Sequence, residues 1–146
     1  MTAICVQPKA TLDKMSRSSS TTEGRPVDTT ELAAGLIHVG SFRCPVSRPE
    51  FHEHAPTRGY CFAFPRRAVW IHQDGQPSFV ADANVVSLYN PGRPYRRTPI
   101  AGQADRTDWF GVAPDLLREM VGALDPRIKD SDEMLFRRTH VTSDAG

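Results

Sequence analysis

Two imidazoles and a carboxylate fall within three consecutive positions at His52-Glu53-His54. Side chains of these types ligate zinc, iron or manganese, and on an extended strand His52 and His54 would share one face. A complete site of that kind needs a carboxylate soon afterwards and another His from a distant strand. Here Ala-Pro-Thr-Arg-Gly-Tyr follows His54, and the next acidic residue is Asp74. The trio therefore reads as two solvated loop histidines, with the metal site as the sharper alternative. His38, His72 and His140 are isolated and read as ordinary strand residues. No nucleophile elbow of the GxSxG type, no phosphate-cradling GxxxxGK loop and no GxGxxG after a strand is present. Asp105 and Asp108 flank Arg106, and local ion pairing is expected of them before a catalytic dyad.

Arginine offers a second chemistry. Arg66-Arg67 and Arg93-Pro-Tyr-Arg96-Arg97 both follow turn residues at strand ends, where a barrel would have its mouth. A guanidinium fork matches carboxylate and phosphate geometry, so these clusters suit an anionic ligand or an acidic partner. Exposed charges paired with Asp74, Asp82 or Asp105 are the plainer reading. Tyr60, Phe62, Trp70, Tyr89, Tyr95 and Trp109 supply aromatic surface. Period-two spacing puts Tyr60, Phe62 and Phe64 on one face, and Trp70 with His72 on one face of the next strand. A barrel core and a ligand pocket draw on the same inward face, so the sequence leaves both roles open.

These residues need strands to hold them. Leu36-Ile-His-Val39 begins an extended run through Phe42 that Cys44-Pro45 ends, and Tyr60-Cys-Phe-Ala-Phe64 alternates large with small until Pro65. Ala68-Val-Trp-Ile-His72 precedes Asp74-Gly75, a hairpin signal. Ser78-Phe-Val80, Asn84 to Tyr89 and Asp108 to Val112 follow, with Asn90-Pro-Gly92 as a turn. Short strands at this spacing predict a mainly β domain, an antiparallel barrel or sandwich. One helix follows. Pro114 suits a first turn, Asp115 suits the positive end of the dipole, and Leu116, Leu117, Met120, Val121 and Leu124 make one apolar face before Asp125-Pro126. Gly122 inside it costs about 1 kcal/mol relative to Ala, so the helix must rely on packing. A further strand is expected at Met134 to His140.

Composition bounds the rest. The 146 residues carry 18 basic and 17 acidic side chains, a net charge of +1. That balance argues against a dedicated nucleic-acid binder and against a polybasic membrane-surface module. No window approaches the roughly 18–20 apolar residues of a membrane-spanning helix, and the first residues lack a secretory pattern, so a cytoplasmic protein is expected. Cys5, Cys44 and Cys61 are widely spaced and read as small buried thiols. Residues 1–30 are Ser/Thr-rich and read as a disordered tail, 31–113 as the β domain, and 114–146 as the helix and a closing segment.

Read together, several segments resemble the N-terminal sensing domain of AraC-type transcription regulators. They are Phe42-Arg-Cys-Pro45, Tyr60-Cys-Phe-Ala-Phe-Pro-Arg66, Val69-Trp-Ile71, Phe79-Val-Ala-Asp82, Asn84-Val-Val86, Tyr89-Asn-Pro-Gly92, Tyr95-Arg96, Asp108-Trp-Phe110 and Pro114-Asp-Leu-Leu-Arg118. The match covers about residues 35 to 140. It implies a cupin-like antiparallel β-barrel, a small double-stranded β-helix or jelly roll, followed by a C-terminal helix. It implies a non-catalytic domain that binds a small-molecule effector and forms a homodimer. DNA would be contacted only through a helix-turn-helix pair that these residues lack, since the chain stops at Ser143-Asp-Ala-Gly146. Tyr60, Phe62, Trp70, His72, Tyr89, Tyr95 and Arg96 become the ligand-binding candidates. Leu116, Leu117, Met120, Val121 and Leu124 become the dimerisation candidates. Metal-binding cupins carry HxH closely followed by Glu and a second His shortly after Pro-Gly. Here the Glu is missing and Pro94-Tyr95 follows Pro91-Gly92, so neither a metal nor another cofactor is expected. The competing expectation is a small metal-dependent cupin enzyme using His52, His54 and a third ligand such as His72.

Overall fold

Large and small residues alternate along the central strands, and that alternation decides what each face of the sheet meets. The computed structural model describes residues 27–52 and 56–143. Among them run β1 (Val27–Ala34), β2 (Ile37–Cys44), β3 (Tyr60–Pro65), β4 (Val69–Gln73), β5 (Phe79–Ala81), β6 (Val85–Tyr89), β7 (Tyr95–Pro99) and β8 (Asp105–Val112). The helix α1 (Pro114–Leu124) and a last strand, β9 (His140–Thr142), complete the order. The strands form a six-stranded sheet, β1-β2-β8-β3-β6-β9, and a three-stranded sheet, β5-β4-β7. Every ladder is antiparallel.

Three expectations move. The folded part begins at Val27, ahead of the boundary drawn at residue 31, because β1 pairs with β2 along its length. The Arg-rich segment at Tyr95 to Pro99 is a strand, β7, paired with β4. The last strand is His140–Thr142 rather than Met134 to His140. The start of the expected tail, residues 1–26, and Glu53 and His54 lie outside the described residues.

Between the sheets lies the main core. Trp109 is 1% exposed, and its register neighbours are Gly40 on β2 and Ala63 on β3. Small residues on both flanking strands leave the space that the indole fills. Phe42, Phe51, Ile71, Val69 and Tyr95 close around it. Each large apolar side chain buried this way contributes about 2–3 kcal/mol. Asp74-Gly75 makes the β4–β5 turn, where Gly75 has φ +71°, a conformation that glycine adopts without strain.

The other face of the six-stranded sheet is covered as well. Tyr60 and Phe62 of β3 sit opposite Val112 and Phe110 of β8, and Leu116, Leu117 and Val121 of α1 pack over them with Leu135 and Phe136. Helix α1 starts at Pro114, carries Asp115 in its first turn and has no side-chain cap. Its internal Gly122 is buried, and a Cβ there would stand 3.1 Å from the Cβ of Lys129. The glycine lets the 3-10 turn Pro126–Ile128 fold back onto the helix.

Of the two described cysteines, Cys44 is a free buried thiol, whereas Cys61 is disulfide-bonded, against the expectation of a reduced one. No helix among the described residues is long and apolar enough to cross a membrane.

Candidate ligand-binding site

Alternation along β7 splits two adjacent arginines. Arg97 points between the sheets and Arg96 points out. The Arg97 side chain is 1% exposed and pairs with the Asp105 carboxylate of β8, itself 0% exposed, so the ion pair joins the two sheets. Thr107 Oγ1 donates to Asp105 Oδ1 at 2.8 Å. The guanidinium carbon lies 4.5 Å from the centre of the Phe42 ring and 5.5 Å from that of Phe51, both cation–π distances. Tyr89 and Tyr95 bridge the sheets nearby with ring centres 4.5 Å apart. Burial, with Tyr95 beside it, pushes the Tyr89 hydroxyl well above the ordinary tyrosine value. The positions between the sheets are thus taken by apolar groups and by charges already paired with each other.

The seven candidate ligand residues therefore fall in three places. Tyr60 and Phe62 were expected on the inward face, and they lie on the opposite one, under α1 and the closing segment. Period two groups residues by face without saying which face is inside. Cys61 and Ala63 face inward because Trp109 fills the room that larger groups would need. Tyr89 and Tyr95 are buried between the sheets. Trp70, His72 and Arg96 come together on the outer face of the three-stranded sheet. There His72 and Arg96 are register partners, and the Trp70 and His72 rings stack at 6.5 Å.

His72 is held from both sides. Its Nδ1 lies 2.7 Å from Ser78 Oγ and its Nε2 2.9 Å from Thr98 Oγ1. A cleft of about 440 Å³ opens beside it, lined by Asp74, Ser78, Tyr95 and Arg96 among others. A smaller one of about 250 Å³ lies between His52, His72, Arg96, Arg97 and Thr98. These residues do not suit a metal cation. Both ring nitrogens of His72 already meet hydroxyls, and the Arg96 guanidinium adds positive charge. Among the described residues no three His, Cys, Asp or Glu side chains converge. His54 of the candidate trio lies outside the described residues.

Across the β4–β5 turn lies a third cleft, of about 490 Å³, whose lining includes Asp74, Asn90, Arg93, Glu133, Phe136 and Arg138. Its far wall is the segment between α1 and β9, a strap that side chains fasten down. Asn90 Nδ2 donates to the Phe136 carbonyl at 2.9 Å, and the Phe136 amide donates to Asn90 Oδ1 at 3.1 Å. The Leu135 amide donates to the Tyr60 hydroxyl at 3.4 Å. Arg118 of α1 donates to the carbonyls of Ile128, Ser131 and Glu133, which ties the helix to the strap. In the sequence Asn90 reads as a turn residue, and Arg118 stands out only in the run Pro114-Asp-Leu-Leu-Arg118 that carries the family resemblance. Neither role leaves a local pattern, since both depend on a segment that folds back from elsewhere.

Of the dimerisation candidates, Leu116, Leu117 and Val121 pack inward, while Met120 is 56% and Leu124 89% exposed. The other arginine cluster stays at the surface, where Arg66 pairs with Asp108 at 2.7 Å.

No protein-family model matches the chain. No curated protein matches it either. Solved structures do. An RmlC-like cupin with a double-stranded β-helix fold from Methanocaldococcus jannaschii superposes with a TM-score of 0.50 at 7% identity, over 66% of this chain and 87% of that one. The cupin domain of Cnp3 from Schizosaccharomyces pombe gives 0.49 at 11% identity, over 71% and 76%. Oxalate decarboxylase from Bacillus subtilis gives 0.43 at 13% identity, over 69% of this chain and 32% of that one. At such identities the likeness concerns the fold alone. Two antiparallel sheets packed over one core, with a helix after the last long strand, give this chain a cupin-like fold.

Proposed function

We propose that this cupin domain is a non-catalytic sensing domain of an AraC-type transcription regulator. Its effector would bind outside the barrel, in the clefts flanking the β4–β5 turn. The observation that carries the reading is the strap, which walls one cleft and is bonded to α1 through Arg118. A ligand that contacts Arg137, Arg138 or Asn90 would bear on the strap, and Arg118 would pass a displacement to the helix. The exposed Met120 and Leu124 would then meet a second copy, and DNA would be contacted through helix-turn-helix units elsewhere on the regulator. The shift achievable equals the effector's difference in affinity between the two helix positions, so tight binding alone would not switch it. The filled interior supports a binding role over a catalytic one, because its charged groups are paired and its remaining side chains are mostly apolar.

The test is a screen of neutral and acidic small molecules by thermal shift, followed by hydrogen exchange with each compound that stabilises the protein. Protection confined to the strap and to α1 supports the reading. A stoichiometric metal whose removal abolishes a turnover, with His52→Ala losing both, would replace it with a metal-dependent cupin enzyme.

A further inference from the structure

Among the described residues, no acid lines the small cleft beside the three-stranded sheet. His52, His72, Arg96, Arg97 and Thr98 line it. The Arg97 guanidinium is turned inward and held by Asp105, which leaves Arg96 as the cation that faces the cleft. Arg96 is exposed and forms no ion pair with an acid among the described residues. Asp74 does not line this cleft but the adjoining one, which shares His72 and Arg96 with it.

The hydroxyls around His72 add directed donors. A neutral imidazole donates from one nitrogen and accepts at the other. With the hydrogen on Nε2, the Thr98 hydroxyl accepts it and keeps its own hydrogen free to point into this cleft; with the hydrogen on Nδ1, Ser78 does the same toward the adjoining one. The ring itself is held still by two bonds and by its stack on Trp70, so this donor is positioned before any ligand arrives. A guanidinium fork, a fixed hydroxyl and a second imidazole on His52 surround a volume of about 250 Å³, enough for one oxyanion group but small for a whole metabolite.

From this arrangement we infer that the cleft between Arg96, Thr98, His72 and His52 binds the oxyanion group of a small molecule, a carboxylate or a phosphate. The rest of the molecule lies in the adjoining cleft beside Asp74 and Tyr95. The inference rests on the effector reading above and gives that effector an acidic end. Arg96 supplies the charge-assisted contact, and the His72-bound hydroxyl sets its direction.

The test titrates the full chain with inorganic phosphate and, separately, with acetate, at constant ionic strength set by chloride. Ring resonances of His52 and His72 report binding, with those of His38 and His140 as internal controls. A saturable shift confined to His52 and His72 is expected with at least one of the two oxyanions, and the arm that saturates tells phosphate from carboxylate. Arg96→Gln should weaken binding about tenfold and Arg96→Lys less, since Lys keeps the charge without the fork. Thr98→Val should weaken it while Arg127→Ala, which removes an exposed pair with Asp125 away from the clefts, leaves it unchanged. A non-saturating drift of His38, His52, His72 and His140 alike, equal in Arg96→Gln, overturns the inference. If neither oxyanion binds but a neutral compound from the screen shifts His72, the oxyanion site is overturned and the effector cleft stands. If compounds bind only at the strap cleft, the oxyanion site is overturned and the effector reading stands; if none binds at either cleft, both fall.

Discussion

Removing one partner of the Arg97–Asp105 pair should unfold a large part of this protein's stability margin. Both side chains are essentially inaccessible, and the guanidinium is enclosed by Phe42 and Phe51. In Arg97→Met the carboxylate of Asp105 keeps, among the described residues, the Thr107 hydroxyl as its side-chain partner. Breaking a buried pair in this way costs about 3–5 kcal/mol, because a charge is left without a counter-ion or water. Domains of this size hold about 5–15 kcal/mol in total. With a urea slope of about 1–3 kcal/mol/M, the unfolding midpoint should fall by about 2 M. Trp109 is a suitable probe, being buried on the same strand as Asp105, whereas Trp70 is already 40% exposed. The double variant Arg97→Met with Asp105→Leu replaces both charges by apolar groups in an apolar setting, so it should recover most of the loss. A single variant within about 1 kcal/mol of wild type would refute the reasoning, as would a double variant whose loss equals the sum of the two singles.

Asn90→Ala should release the strap by deleting two bonds to the Phe136 backbone, each worth about 1 kcal/mol. Amide exchange at Leu135 and Phe136 should then rise about tenfold or more, while the β2–β8 ladder keeps its protection. Tyr89 predicts an alkaline limit. Its hydroxyl ionises in the unfolded chain near pH 10 but stays neutral when folded, so stability is intact below about pH 10 and falls by about 1.4 kcal/mol per unit above it. Tyr89→Phe should reduce that slope, measured by urea unfolding between neutral and alkaline pH. For the proposed dimer, Met120→Asp with Leu124→Asp should give monomers of unchanged stability in sedimentation, since both side chains are exposed on one protomer. A wild-type protein that sediments only as a monomer at micromolar concentration removes the dimer from the proposal.

Strong local patterns were legible in the sequence, and patterns made by distant partners were not. Proline, acid and apolar spacing placed α1 at Pro114–Leu124, and Asp74-Gly75 marked the β4–β5 turn. β1 was hidden because VDTTELAA lacks a strong apolar alternation, and its pairing with β2 is made by the backbone. β7 was hidden because YRRTP puts an arginine where a strand shows a core residue. That arginine becomes a core residue only through Asp105, which arrives on the next strand. Met134 to His140 looked like a strand, yet only His140 belongs to one, and the Leu135 and Phe136 amides bond to the Tyr60 hydroxyl and the Asn90 side chain instead of a ladder.

The same physics relocates the candidate site. A sheet with one wet face leaves its aromatic side chains to the interior, where a ligand pocket competes with packing for them. Here both faces of the six-stranded sheet are covered, one by the second sheet and the other by α1 and the strap. Tyr60, buried, and Phe62, half-buried, can therefore be large and packed without belonging to the barrel interior. The interior in turn is filled by packed side chains and a buried ion pair. What stays open is the outer face of the three-stranded sheet, which no element covers among the described residues, and there His72, Arg96 and Thr98 stand in register. Arg96 and Arg97 thus divide two tasks on one strand. The inward arginine fixes the sheets together, and its neighbour, turned by the pleat, is left free to meet a ligand.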